Sequence, residues 1–273
     1  VGDRVTVGDV PSPDGVYYIV AISPRDNYII RRASNLSKES HIIAANIDQA
    51  VLVMTLAHPT TATMFVDRFL ATAEAYRVKA VLLINKVDLL TDCEDIELLD
   101  AFSYLYRSIG YDVLHVSAKT GAGMDAVREM MGGRITLFSG NSGVGKSTLI
   151  NDLIPGLDLR TAEISHTHDA GMHTTTFSEM FFLPGGRDAG AVIDTPGVRG
   201  FGTIDFDRHE VGHFFPEIFR ESANCRFGDC THTHDPGCAV LEAVGENRIS
   251  ASRYGSYISI MDDADEGKYR KGY

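Results

Sequence analysis

Short runs of apolar residues alternate with amphipathic stretches between residues 47 and 194. The first run, residues 50–54, contains only Ala, Val, Leu and Met, as expected of a strand covered on both faces. Further strands are predicted at 81–84, 113–116, 135–138, 177–183 and 191–194, and helices at 65–73, 92–108 and 124–131. This alternation predicts an α/β fold with a mostly parallel sheet, helices on both faces, and ligands at the carboxyl ends of the strands.

The pattern is different at both ends of the chain. Short segments separated by Pro, Asn, Asp and Gly predict a small β-barrel within residues 1–44, and the opening VGDRVTVGD has the pattern of a strand within a fold. We therefore expect the N-terminal part of this barrel to be missing. Beyond residue 205 we predict a helix at 208–222, a Cys/His loop at 224–238, two short helices within 239–263 and a solvated tail, Asp262–Tyr273. The predicted units are 1–44, 45–205 and 206–273.

A phosphate-binding loop is predicted between strand 135–138 and the helical segment that follows it. Residues 140–147 read GNSGVGKS and fit the pattern G-x-x-x-x-G-K-[ST]. Its glycines let backbone N–H groups surround phosphate oxygens, while Lys146 neutralises the β- and γ-phosphates and the Ser147 hydroxyl binds Mg²⁺. The predicted contacts are Gly140, Asn141, Ser142, Gly143, Val144, Gly145, Lys146, Ser147 and Thr148.

Two further motifs predict which base is bound. Asn85, Lys86 and Asp88 form N-K-x-D after strand 81–84, and the Asp88 carboxylate can accept hydrogen bonds from N1–H and the 2-amino group of guanine, a donor pair that adenine lacks. Asn85 is expected to bridge to neighbouring loops or to N7, and the Lys86 stem to cover the base. The tripeptide Ser117, Ala118 and Lys119 follows strand 113–116 and is expected to contact guanine O6 through backbone N–H. Together these motifs predict GTP rather than ATP.

The remaining motifs predict the Mg²⁺ side of the site. Asp194-Thr-Pro-Gly197 fits D-x-x-G, so Asp194 is expected to hold Mg²⁺ through a water and the Gly197 N–H to contact the γ-phosphate. Residues 171–176, GMHTTT, form a candidate switch in which Thr174 completes the Mg²⁺ shell, with Thr175 as the alternative.

Three of the four cysteines lie within residues 225–238, which favours a metal site in a reducing compartment such as the cytoplasm over a disulfide framework. The pattern Cys225-x4-Cys230-x-His232-x5-Cys238 offers three thiolates and an imidazole, which suits tetrahedral Zn²⁺. Four protein ligands leave no open position, so the predicted zinc site is structural. His234 is the alternative imidazole.

The order of the motifs is unusual. Ras-like GTPases carry the phosphate loop first and N-K-x-D and S-A-K last, whereas here N-K-V-D and S-A-K precede the phosphate loop. The chain resembles a circularly permuted GTPase, an arrangement that leaves the three-dimensional sheet unchanged.

With the Cys/His loop, the chain resembles the bacterial ribosome small-subunit-dependent GTPase A family, in which an OB-fold barrel precedes a permuted GTPase domain and a zinc domain. The segments that carry the resemblance are VGDRV, NKVD, GNSGVGKSTLIN, GMHTTT, DTPG, and NCRFGDCTH followed by DPGCAV. The resemblance implies a GTP hydrolase that acts with the 30S subunit late in its maturation and contacts 16S rRNA through its outer domains. We expect the protein itself to be a monomer.

Two positions depart from the expected pattern. Met172 replaces the Arg of the family's switch, and Val198 follows D-T-P-G in place of a Gln that could orient water, so we expect slow intrinsic hydrolysis. Catalysis is assigned to Lys146 and Thr174, with His173 as the candidate for the missing group or, alternatively, an ordinary loop residue.

Composition limits the remaining alternatives. The chain has 25 Lys and Arg against 37 Asp and Glu, a net charge of −12, which argues against nonspecific coating of nucleic acid. No apolar run approaches the roughly 20 residues that span a bilayer, so we expect no membrane partner. The first alternative function is a module that does not hydrolyse GTP but uses it to order a surface for RNA or the ribosome. The second is an ATP-dependent enzyme.

Overall fold

The computed structural model describes residues 1–32, 40–159, 178–195 and 206–269. Two antiparallel strand pairs form its N-terminal part: β1 (Val5–Val7) with β2 (Ile19–Ile22), and β3 (Tyr28–Arg32) with β4 (Ser40–Ala45). Asn27 connects the second pair to the segment that follows it. Its side chain accepts from the backbone N–H of Ile47 and donates to the Ile47 carbonyl, both at 2.8 Å. The predicted short strands are confirmed.

The central sheet has six strands: β5 (Gln49–Met54), β6 (Lys79–Ile84), β7 (Asp112–His115), β8 (Ile135–Gly140), β9 (Glu179–Phe182) and β10 (Ala191–Asp194). Their order is β7-β6-β5-β8-β10-β9, and each neighbouring pair is parallel except β9 with β10. The carboxyl ends of the five parallel strands therefore meet at one edge. The predicted mostly parallel sheet is confirmed.

Helices cover both faces of this sheet. Their bounds are α1 (Thr63–Ala75), α2 (Cys93–Ile109), α3 (Met124–Met131) and α4 (Lys146–Leu153). Leu52 and Met54 of β5 pack with α1 and α2, whereas Val51 and Val53 point to the opposite core, which contains residues of α3 and α4. Because β5 is buried on both faces, its apolar run is continuous rather than alternating.

The C-terminal part is helical and packs on α1. A 3₁₀ turn, Val211–Phe214, precedes α5 (Pro216–Ser222), and α6 (Ala239–Gly245) and α7 (Ala251–Tyr269) follow. Their apolar core includes Ala71 of α1. The part of the chain that the structure describes contains no helix long and apolar enough to cross a membrane.

Two predictions for this region were wrong. The predicted helix 208–222 is divided into a 3₁₀ turn and a helix that begins at Pro216, since proline favours the first turn of a helix. The final helix was predicted to be short, but it has 19 residues, Ala251–Tyr269, and includes most of the predicted solvated tail. It continues because Ile260 and Met261 are buried in the C-terminal core and Asp263 pairs with Arg68 of α1.

Candidate functional site

A cavity of about 230 Å³ opens at the carboxyl ends of β6 and β7, next to the start of α4. Its lining combines the two motifs predicted to recognise the base with the end of the phosphate loop. The lining residues are Asn85, Lys86, Asp88, Leu89, Ser117, Ala118, Lys119, Gly145 and Thr148. Three of the five sequence motifs, N-K-V-D, S-A-K and the phosphate loop, therefore line the same cavity.

Asn85 joins these three loops. Its side-chain NH₂ group donates to the carbonyl of Val144 in the phosphate loop at 2.8 Å, and its Oδ1 accepts from the backbone N–H of Ala118 at 3.1 Å. Asn85 is only 3% exposed, so both bonds are shielded from water. The predicted bridge between loops is observed directly.

Asp88 is held in the cavity by Ser117. The Ser117 hydroxyl donates to Asp88 Oδ1 at 2.6 Å and itself accepts from the backbone N–H of Thr120 at 3.2 Å. Ser117 is fully buried, so its hydroxyl orients the Asp88 carboxylate from the interior of the protein. The sequence predicted a backbone role for this tripeptide but not the role of the serine hydroxyl.

Two glycines of the phosphate loop occupy positions where a side chain does not fit. A Cβ on Gly140 would lie 2.5 Å from the carbonyl oxygen of Val53, and one on Gly145 would lie 2.4 Å from Nδ2 of Asn85. Gly145 also has φ +90°, a conformation that L side chains rarely adopt. The cradle for phosphate and the Asn85 bridge therefore depend on the same glycine.

Lys146 and Asp194 meet at the end of β10 even though they are far apart in sequence. The Lys146 ammonium pairs with Asp194 and lies 3.4 Å from the Thr195 carbonyl oxygen. Burial lowers the pKa of Lys146 to about 8, while the adjacent carboxylate favours its charged form. The hydroxyl of Ser147 and the carboxylate of Asp194 are hard oxygen donors that suit Mg²⁺.

Three of the predicted site residues, His173, Thr174 and Gly197, lie outside the described residues.

A second candidate site is formed by Cys225, Cys230, His232 and Cys238, whose ligand atoms all lie within 4.8 Å of one another. His232 Nδ1 is 3.6 Å from Cys225 Sγ and 3.5 Å from Cys238 Sγ, and these two sulfurs are 4.0 Å apart. Tetrahedral zinc, with bonds of about 2.0–2.3 Å, separates its ligand atoms by about 3.5–3.8 Å. The donor set therefore fits zinc, and the separations of the His232 nitrogen from the two sulfurs match those of a tetrahedral site.

The alternative imidazole, His234, is not part of this cluster, and its Nδ1 is 2.9 Å from the hydroxyl of Thr233.

Two tyrosines of α7 hydrogen-bond to the loop that carries the metal ligands. Tyr254 donates to the carbonyl of His232 and Tyr257 donates to that of Thr231, both at 2.8 Å. These tyrosines were not predicted, since no local pattern in the sequence connects them with the loop.

The sheet order, the joined loops and the position of N-K-V-D before the phosphate loop define a circularly permuted P-loop GTPase. The family described as RsgA GTPase matches residues 22–204. The chain belongs to this family, and it is a GTPase. The predicted family and fold class are therefore confirmed.

Relatives and solved structures agree with this assignment. The chain is 58% identical over 273 residues to the small ribosomal subunit biogenesis GTPase RsgA of Bacteroides fragilis, covering all of this chain and 86% of the relative. It is 56% identical to the protein of that name in Porphyromonas gingivalis, with the same coverage. The crystal structure of YjeQ from Thermotoga maritima matches with TM-score 0.78 and 33% identity, covering 97% of this chain and 84% of that chain. YloQ, a circularly permuted GTPase, matches with TM-score 0.76 and 28% identity, covering 100% and 82%.

Proposed function

We propose that this GTPase binds guanosine nucleotide in the cavity beside Asn85 and hydrolyses GTP during maturation of the small ribosomal subunit. The observation that carries the nucleotide assignment is the Asn85 side chain, which bonds to the phosphate loop at Val144 and to the base-side loop at Ala118. A single buried amide thereby sets the distance between the loops for the base and for the phosphates. The hydroxyl that orients Asp88 supports the preference for guanine.

Each residue has a proposed role. Asp88 recognises the base, Lys86 covers it, and a backbone N–H of the tripeptide Ser117, Ala118 and Lys119 contacts O6, while residues 140–148 surround the phosphates. Lys146 neutralises the charge that develops on the γ-phosphate. Mg²⁺, when bound, supplies further positive charge to the phosphates, and it would be held by Ser147, Thr174 and Asp194. Gly197 would contact the γ-phosphate, and His173 would act near the attacking water.

The Cys225, Cys230, His232 and Cys238 cluster is proposed to hold one structural Zn²⁺, which would fix the ligand loop against α7. The support is a donor set of three thiolates and one imidazole whose ligand atoms lie within 4.8 Å of one another, with those of Cys225, Cys238 and His232 separated by 3.5–4.0 Å. Metal analysis of the purified protein is expected to give one zinc per chain, falling below half in the Cys238→Ser variant. An unchanged zinc content in that variant would contradict the assignment.

The partner is proposed from the relatives, which are named small ribosomal subunit biogenesis GTPases. We propose that a monomer of this protein binds the small subunit in the cytoplasm and contacts 16S rRNA. The proposed units are an OB-fold barrel at 1–44, the permuted GTPase domain at 45–205 and the zinc-binding helical domain at 206–273.

Turnover of GTP and of xanthosine triphosphate by wild type and Asp88→Asn, each with and without purified small subunits, tests this proposal. Xanthine carries a carbonyl in place of the 2-amino group, so an amide that can donate should reverse the preference. We expect small subunits to stimulate wild-type turnover of GTP, and Asp88→Asn to lower kcat/KM for GTP by about a hundredfold while raising it for xanthosine triphosphate. No turnover with subunits present would favour the non-hydrolysing module, and indifference to Asp88→Asn would refute the base assignment.

A further inference from the structure

Residues 55–62, which connect β5 to α1 and are called here the 55–62 loop, lie beside the nucleotide cavity although no GTPase motif includes them. The Lys86 ammonium, predicted to cover the base, donates to the backbone carbonyl of His58 at 2.6 Å. A Cβ placed on Gly143 of the phosphate loop would lie 3.5 Å from Cδ of Pro59. The tip of the loop therefore lies against both the base-side lysine and the phosphate loop.

Two buried threonines hold the loop closed from the inside. The Thr55 hydroxyl donates to the Pro59 carbonyl at 2.5 Å. The backbone N–H of Thr55 donates to the Thr61 hydroxyl at 3.2 Å, and the backbone N–H of Thr61 donates to the Thr55 carbonyl at 2.9 Å. Thr55 is fully buried and Thr61 is 4% exposed, whereas His58 and Pro59 at the tip are exposed. The shape of an exposed tip is thus set by hydroxyl groups in the interior.

Both ends of the hydrogen bond between Lys86 and His58 have unfavourable backbone conformations. Lys86 has φ +62° and His58 has φ +52°, in the left-handed region that residues other than glycine seldom occupy. Surrounding contacts must stabilise both residues, and such positions cluster at ligand-binding sites. The threonine bonds of the 55–62 loop supply these contacts on the His58 side.

We propose that the 55–62 loop is a positioning element for the guanosine part of the nucleotide, in which Thr55 and Thr61 place the His58 carbonyl so that it fixes Lys86 over the base. This inference rests on the proposed function, because it takes Lys86 as a ligand of the base. The loop acts on the part that GTP and GDP share. It should therefore alter the binding of both nucleotides equally and leave the hydrolytic step unchanged.

The experiment compares Thr55→Val, which removes the hydroxyl and keeps the shape, with Thr55→Ser, which keeps the hydroxyl. We expect Thr55→Val to raise KM for GTP and Ki for GDP by the same factor, about five- to tenfold, as for the loss of one hydrogen bond. For Thr55→Val, kcat should stay within about twofold of wild type. Thr55→Ser should keep KM for GTP and Ki for GDP at their wild-type values. Equal constants for Thr55→Val and Thr55→Ser, or a fall in kcat with KM unchanged, would overturn the proposal.

A double-mutant cycle separates action through Lys86 from general loosening of the fold. In the Lys86→Met background, where the ammonium is absent, Thr55→Val is expected to change KM by less than about twofold. Fully additive effects would show that the loop does not act through Lys86. If Thr55→Val lowers the thermal midpoint well below that of Thr55→Ser, Pro59→Gly replaces it in the cycle, since that change loosens the exposed tip and leaves both threonines intact. With Pro59→Gly, a change in KM of less than about twofold in the Lys86→Met background would again support the proposal, and fully additive effects would again refute it.

Asp88→Asn distinguishes failure of this inference from failure of the proposed function. If the guanine preference depends on Asp88 but Thr55→Val has no effect on KM, the nucleotide site stands and the role of the 55–62 loop is refuted.

Discussion

Replacing Lys146 by alanine is expected to lower kcat/KM for GTP hydrolysis by at least about a hundredfold, the size found when one charge-stabilising donor is removed from an active site. The ammonium is largely buried and pairs with Asp194 at the end of β10. Electrostatic interactions are stronger in such a shielded position than in water. Alanine would remove the cation proposed to neutralise the phosphates and leave the Asp194 carboxylate without its partner.

Steady-state turnover in the presence of small subunits gives the required measurement, with Lys79→Ala as the matched control. Lys79 begins β6 at the opposite edge of the sheet and forms an exposed ion pair with Asp112 at 2.7 Å. We expect the control to retain wild-type turnover. If Lys146→Ala hydrolysed GTP as fast as Lys79→Ala, the phosphate loop would not be the catalytic site.

The elements that the sequence predicted well are those whose signal is local. The continuous apolar runs of β5 and β6 follow directly from burial on both faces. The segment 140–147 joins β8 to α4 as predicted, because the glycine spacing and the flanking strand are adjacent in sequence. Here hydrophobic pattern and motif agree, which is what makes a local prediction dependable.

The features that were missed depend on partners far along the chain. Helix α7 contains Gly255, several serines and a run of acidic residues, so its pattern predicts a short helix. Its length follows from packing against α1 and the C-terminal core, contacts that no local pattern contains. The same holds for the Ser117 hydroxyl on Asp88 and for His58 beside Lys86. The roles of His173, Thr174 and Gly197 stay predictions.

A buried charge network joins α7 to the GTPase domain. The Arg253 guanidinium donates to both oxygens of Glu217, at 2.6 and 3.1 Å, and to Asp67 of α1 at 2.8 Å. Tyr106 of α2 donates to the same Asp67 oxygen at 2.7 Å. Arg253 is 1% exposed and stacks over Phe215, with 4.5 Å from its Cζ to the ring centroid.

The protonation of this network follows from its partners. Burial alone would lower the pKa of Arg253, but the hydrogen bonds and charges of Glu217 and Asp67 raise it above its ordinary value. Burial raises the pKa of Tyr106, and the Asp67 carboxylate raises it further. Arg253 is thus the cation that stabilises two buried carboxylates, and it connects α7, the helix that also carries Tyr254 and Tyr257, to Asp67 of α1.

Replacing Arg253 by methionine is expected to reduce the free energy of unfolding by about 3–5 kcal/mol, because it leaves buried carboxylates without a cation. Arg248→Met is the matched control: Arg248 also pairs with two carboxylates, those of Glu221 and Glu246, but in an exposed position, so stability should change little. Urea unfolding followed by circular dichroism measures both variants. Adding Glu217→Leu to Arg253→Met should recover part of the loss, since a buried ion pair can be replaced by apolar residues. Equal unfolding midpoints for Arg253→Met and Arg248→Met would mean that the network does not hold α7 on the GTPase domain, and that the apolar contacts with α1 do so alone.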